Sequence, residues 1–279
     1  MLRFLVGMQF LFVKVVSLEF ILFLLLGTGV GIFGSLVGIG GGLICVPVFI
    51  FFMSQGGIYP YFSTAAQITG TSLFIVLVNA MSGALAYIRQ KRVFLHAAVP
   101  FAAATLPGAF LGSWIVDRFT AGMLNFYYGL FIGCMALVMY WNATHAKHEN
   151  MLEIPAGFTY NRGIGIAASM GVGFLSSIFG VGGGIIHVPM MVYILDFPVH
   201  IATATSCFIL AVSALGGTIT HVLLDHVVWI PAVCISVGAA VGAQIGARIS
   251  RKTRSKTILV ILSLAMLCVS VRLILSGGI

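Results

Sequence analysis

The chain has 279 residues, 60% of them hydrophobic and 7% charged, with a mean hydropathy of +1.14. A soluble domain carries about 25% charged residues, so this composition excludes a water-soluble globular protein and calls for a bilayer, where about 20 apolar residues make one crossing. The formal net charge of +8 lies between apolar segments, where it orients the protein in the membrane, and no nucleic-acid partner is expected.

In chain order, residues 1–17 are an apolar lead-in carrying Arg3 and Lys14, either an interfacial helix or the start of the first span. No A-x-A-like site closes this run, so no removed signal peptide is expected. The first clear apolar segment, 18–37, stops at Gly38-Ile39-Gly40-Gly41-Gly42. A second, 43–53, is too short for an upright crossing. The polar stretch Ser54-Gln55-Gly56-Gly57 leads through Tyr59-Pro60-Tyr61 to a third segment, 63–88, closed by Arg89, Lys91 and Arg92. Segments 93–116, with Pro100 and Pro107, and 121–141 follow. The polar stretch 142–161 is the natural boundary, dividing the chain into the lead-in 1–17, a first membrane repeat 18–141, a cytoplasmic linker 142–161 and a second membrane repeat 162–279. Five further segments follow, at 160–179, 185–195, 199–222, 227–247 and 257–276. The five cysteines lie apart in apolar surroundings and read as small buried hydrophobes rather than a disulfide framework.

The second half restates the first. Gly38-Ile39-Gly40-Gly41-Gly42-Leu43-Ile44-Cys45-Val46-Pro47 returns 142 residues later as Gly180-Val181-Gly182-Gly183-Gly184-Ile185-Ile186-His187-Val188-Pro189. Thr69-Gly70-Thr71-Ser72 returns 134 residues later as Thr203-Ala204-Thr205-Ser206, and the same offset lays Gly108-Ala109-x-Leu111-Gly112 on Gly242-Ala243-x-Ile245-Gly246. Three matched blocks in one order indicate internal duplication. Lys and Arg mark cytoplasmic ends: the 89–92 cluster, the linker, and the cluster Arg248, Arg251, Lys252, Arg254 and Lys256 all fall inside. The loop holding His221, Asp225 and His226 then falls outside, as an expected surface cluster. Equivalent loops on opposite sides make the repeats inverted. The expected fold is an all-α polytopic membrane protein of two inverted-topology repeats, with broken or re-entrant helices at the glycine-rich motifs.

The paired motifs GVGIFGSLVGIGGGLICVP (Gly29 to Pro47) and GVGFLSSIFGVGGGIIHVP (Gly171 to Pro189), with the two TxTS and GAxxG blocks, resemble the TauE/SafE sulfite exporter family of membrane transporters over about 18–276. The resemblance implies a multi-pass protein of a bacterial-type inner membrane that carries sulfite or an organosulfonate.

An anion at mid-membrane needs positive potential, and the apolar segments hold no Lys or Arg away from their ends. The available device is the N-terminus of a broken helix, whose free N–H groups and partial charge of roughly +0.5 attract anions. Gly40, Gly41 and Gly42, with Gly182, Gly183 and Gly184, are therefore the expected cradle. The hydroxyls of Thr69, Thr71, Ser72, Thr203, Thr205 and Ser206 are candidate lining groups, although such hydroxyls also bond back to their own helix. Gln67, Asn79 and Gln244 are lone amides for the site or for interhelical bonds. His187 is an ionisable group in a break segment, suited to an anion or a coupled proton, or to a neutral bond with a neighbouring helix. His145-x-x-His148 offers only two ligands in a solvated linker, and no metal, cofactor or catalytic constellation is expected.

These observations make the expected function secondary transport, most simply export, of a small sulfur-containing anion by alternating access. An anion channel is the alternative, and a membrane-embedded enzyme a more distant one. Expected partners are the anion, the lipid bilayer, a coupling proton or sodium ion, and a second copy of the chain.

Overall fold

The computed structural model describes residues 2–54, 62–118, 120–145, 151–155 and 157–277. The expected loop at 55–61 and His148 lie outside them. Among the described residues there are ten α-helices: α1 (Leu2–Val37), α2 (Gly42–Ser54), α3 (Ala65–Arg89), α4 (Leu95–Ile115), α5 (Ala121–His145), α6 (Arg162–Phe179), α7 (Gly184–Tyr193), α8 (Val199–Leu223), α9 (Trp229–Lys252) and α10 (Ser255–Gly277). A 3-10 turn, Val116–Arg118, follows α4. Each expected apolar segment is a helix because hydrocarbon offers no partner for exposed backbone groups. The lead-in is continuous with the first helix.

Among the described residues, seven helices are long and apolar enough to cross a membrane. The chain is a multi-pass membrane protein. Neither helix that follows a glycine break spans alone, because 13 residues in α2 and 10 in α7 extend roughly 20 and 15 Å against a hydrocarbon core of about 30 Å. The outward surface is apolar, with Leu25, Trp114, Trp141, Leu215 and Val241 exposed, as a lipid-facing surface requires.

The main helix pairs are α1 with α9, α4 with α6, α5 with α10, and α3 with α8. Exchanging α1–α5 for α6–α10, position by position, leaves this set unchanged. Small residues make the close approaches. A Cβ on Gly31 would run into the carbonyl oxygen of Ala239, and one on Gly242 into that of Thr28, along α1 and α9. Gly108 and Gly173 meet backbone in the same way between α4 and α6. In lipid, where there is no hydrophobic drive between helices, such backbone contact supplies the packing energy.

Candidate functional site

The glycine motifs end one helix and begin the next by backbone geometry that side chains resist. Gly38, Gly40 and Gly41 have φ of +83°, +77° and +86°, and Gly180 and Gly182 have φ of +66° and +75°. The chain turns out of α1, with the Gly34 carbonyl accepting from the N–H groups of Gly38, Ile39 and Gly40, and re-enters a helix at Gly42. It turns out of α6 with the Ser176 carbonyl accepting from Gly180 and Val181, and re-enters at Gly184.

The two breaks touch each other. A Cβ on Gly42 would lie 2.5 Å from the Val181 carbonyl oxygen, and one on Gly184 would lie 2.5 Å from the Ile39 Cα. Each is held by the opposite half. Ser72 Oγ of α3 donates to the Gly180 carbonyl at 2.6 Å, and Ser206 Oγ of α8 donates to the Gly38 carbonyl at 3.0 Å. Gly180 packs on the backbone of Thr69, and Gly38 on that of Thr203. Val76 and Leu210 both reach Gly40 and Gly182, forming an apolar plug between the breaks.

The other candidates have distinct settings. Thr69 Oγ1 bonds back to the Ala66 carbonyl at 3.0 Å, whereas buried Thr203 Oγ1 has no partner. Thr71 and Thr205 accept from the Val228 and Phe94 backbone N–H groups. The Gln67 side chain accepts from Ser63 N–H at the start of α3, and Gln244 donates to Ser82 between α9 and α3. His187 is fully buried, with Nδ1 3.1 Å from the Gly183 carbonyl and Nε2 3.1 Å from Ser169 Oγ. The carbonyl only accepts, so Nδ1 donates there, and a neutral ring accepts from Ser169 through Nε2. The neighbouring-helix bond is thus formed.

From the sequence, Asn79 is a lone amide for the site or for an interhelical bond. It is fully buried with both amide atoms unpartnered, and its nitrogen lies beside Gly34 and Gly41. Ser213, at the matching position of α8, also carries an unpartnered buried hydroxyl. Asn79 thus adjoins the first break, and at each break the first N–H groups of α2 or α7 have no intrahelical acceptor. Beside Val181 and Gly182 lies a cavity of about 10 Å³, roughly the room for one water. The arrangement offers backbone N–H groups and neutral polar side chains, the kind of donors an anion accepts from.

Beyond the breaks, α3 and α8 end in matching turns at Lys91 and Asp225, both with φ of 57°. His221 and His226 flank the second turn. They are buried, not the surface cluster expected, because the turn folds His226 back beneath α3 at Gly70. His226 Nε2 lies 3.0 Å from Asp117, His226 Nδ1 lies 3.1 Å from His221 Nδ1, and His221 Nε2 lies 3.4 Å from the Ser177 carbonyl. Satisfying all three contacts takes three ring protons, because carboxylate and carbonyl only accept. At the other turn, Tyr87 donates to the Ser35 carbonyl and Arg92 is buried. The five cysteines are free. Among the described residues no three His, Cys, Asp or Glu side chains gather as a metal site.

Residues 23–273 match the family described as "Sulfite exporter TauE/SafE". A Bacillus subtilis protein named "Probable membrane transporter protein YunE" is 31% identical over 271 residues, covering 93% of this chain and 99% of its own. A "Probable membrane transporter protein" of Methanocaldococcus jannaschii is 30% identical over 219 residues, 74% of this chain and 76% of its own. One of Xylella fastidiosa is 27% identical over 215 residues, 76% of this chain and 78% of its own. No solved structure matches the chain.

Proposed function

Because the chain belongs to the sulfite exporter TauE/SafE family of membrane transporters, we propose that it exports a small sulfur-containing anion, sulfite or an organosulfonate, by alternating access. The anion is held between the N-termini of α2 and α7. The observation that carries this reading is the crossed clasp, Ser72 on Gly180 and Ser206 on Gly38. It brings two helix N-termini and two reversed backbone turns about one apolar plug, with the unpartnered Asn79 beside the first break. Two inverted repeats account for the clasp and for the exchange of helix pairs between halves. Backbone N–H groups suit a carrier, since a membrane-buried Arg is costly to install and tight binding slows release. In this reading the protein sits in a bacterial-type inner membrane with the linker on the cytoplasmic side.

The test is counterflow in proteoliposomes, with labelled sulfite outside and unlabelled anions inside. Stimulation by sulfite or one sulfonate, lost in Gly183→Leu, is expected. Lack of stimulation by every sulfur oxyanion in folded protein refutes the substrate.

A further inference from the structure

We propose that the cavity between the ends of α3 and α9 binds a phosphate-type oxyanion, carried by the headgroup of an anionic lipid or present as the free ion. The cavity has a volume of about 440 Å³ and is lined by Arg89, Gln90, Gln244, Arg248, Arg251 and Lys252, with Ala86 at its wall. Four lining residues are cations, none is acidic, and among the described residues none of the four forms an ion pair with a carboxylate. The volume far exceeds the ~30 Å³ share of one water, so a solvated oxyanion fits.

Arg92 supplies an independent sign that an anion is missing. It is 3% exposed, and its bonds go to neutral groups: Gln90 Oε1, the His200 carbonyl and ring, and Ser250 Oγ. Its Nε has no partner. Burial lowers its pKa from the ordinary arginine value, Tyr87 opposes this, and the like charge of Arg251 adds to it. Arg92 thus senses a cation of the cavity wall, and Gln90 joins it to the cavity directly.

The 134-residue offset shows what stands in this place at the opposite turn. There Tyr87 and Arg92 correspond to His221 and His226, and Arg251 corresponds to Asp117. The carbonyl contacts correspond too, Tyr87 on Ser35 and His221 on Ser177. His226 has a carboxylate partner in Asp117 at 3.0 Å; in its place Arg92 has the like charge of Arg251 nearby. One turn carries its own anion; at the other the Arg92 guanidinium lies 5.0 Å from the Tyr87 ring centroid and bonds only neutral groups, so an anion from outside would supply the opposite charge it lacks.

The surroundings favour a lipid as the source. Leu85 and Ile88 of α3 and Ile245 and Ile249 of α9 are exposed beside the cavity-lining positions. On each helix they lie within a turn of Arg89 or Arg248. This offers an apolar ridge for acyl chains below a cationic seat for the phosphate, the arrangement by which basic pockets between membrane helices hold anionic headgroups.

The test uses the purified full chain in detergent, melted with added phosphatidylglycerol, phosphatidylcholine or inorganic phosphate. Phosphatidylglycerol is expected to raise the melting temperature and phosphatidylcholine not to. Arg248→Gln should raise the half-effective phosphatidylglycerol concentration about fivefold, one cation's share, while Arg162→Gln, a basic residue outside the cavity, leaves it unchanged. Should Arg248→Gln fail to fold, Lys252→Gln at the exposed rim takes its place. Stabilisation by inorganic phosphate that is lost in the same variants, without a lipid effect, assigns the site to the free ion. Equal effects of both lipids with none of phosphate, or a phosphatidylglycerol preference intact in Arg248→Gln and Lys252→Gln, overturns the proposal.

Discussion

Contact between the two breaks can be tested by a single methyl group. Gly42 opens α2 with no positive φ, so alanine is conformationally acceptable there, and helix propensity alone would favour it by up to about 1 kcal/mol. The obstacle is the opposing break. A Cβ on Gly42 would lie 2.5 Å from the Val181 carbonyl oxygen and 2.6 Å from its carbonyl carbon, against ordinary contacts that begin at 3.4 Å. Backbone must therefore retreat by roughly 1 Å to reach ordinary contact, and that backbone adjoins the Gly180 carbonyl held by Ser72. Overpacking of this kind costs about 1–3 kcal/mol. Gly29, in α1, is the control, since a Cβ there meets nothing within 4 Å and gains only the propensity term.

Comparing Gly42→Ala with Gly29→Ala separates the steric term from helix propensity. At roughly 2–4 °C per kcal/mol for a large domain, Gly42→Ala should melt roughly 2–12 °C below Gly29→Ala. The melt can be followed with a thiol-reactive dye once the exposed Cys134 and Cys268 and the half-buried Cys234 are replaced by serine, because Cys45 and Cys207 are buried until the protein unfolds. Counterflow should fall in Gly42→Ala as well. If the two variants melt together, or Gly42→Ala melts higher, the breaks are not in contact and the account of the site fails.

Ser72→Ala and Ser206→Ala each remove the donor to a buried carbonyl of the opposite break. Each should cost about 1–2 kcal/mol, and thermal melts that separate them by more than about 2 kcal/mol would count against equivalent clasps. Asn79→Leu replaces an amide whose two polar atoms are buried and unpartnered. It should raise the melting temperature while abolishing counterflow, and full transport in this variant removes Asn79 from the site. His187→Ala should lower transport or change its pH dependence, whereas an unchanged pH–rate profile removes the ring from the mechanism. A tag at Leu224 should be reached only from outside the cell, and labelling from the cytoplasm would overturn the inverted arrangement.

The ten helices were legible because apolar length is local: each segment between polar or glycine-rich stretches must satisfy its own backbone in lipid. The TxTS recurrence was legible too, but its wiring was not. Ser72 and Gly180 stand 108 residues apart, and nothing within either half says that each hydroxyl reaches the other half's break. Val76 and Leu210 looked like any apolar helix residues, and only the fold puts both against Gly40 and Gly182. Arg92 was read with Arg89 and Lys91 as a charge that marks the cytoplasmic end. The left-handed turn at Lys91 instead carries it back into the protein beside His200 and Ser250.

The signal that could have exposed Arg92 was present in the offset already used for the motifs. Extended past Ser72 and Ser206, it sets Tyr87 and Arg92 against His221 and His226, and Asp117 against Arg251. Duplicated halves that began alike would close both ends alike. Here one end closes on a ring–carboxylate pair and the other on two arginines. Asp117 is a counter-charge carried within the chain and is little affected by added anions, whereas guanidinium groups remain charged at every physiological pH and respond to whatever anion reaches them. Salt or lipid composition therefore acts at the Arg92–Arg251 end, and the His226–Asp117 end, with its carboxylate in place, should be insensitive to either.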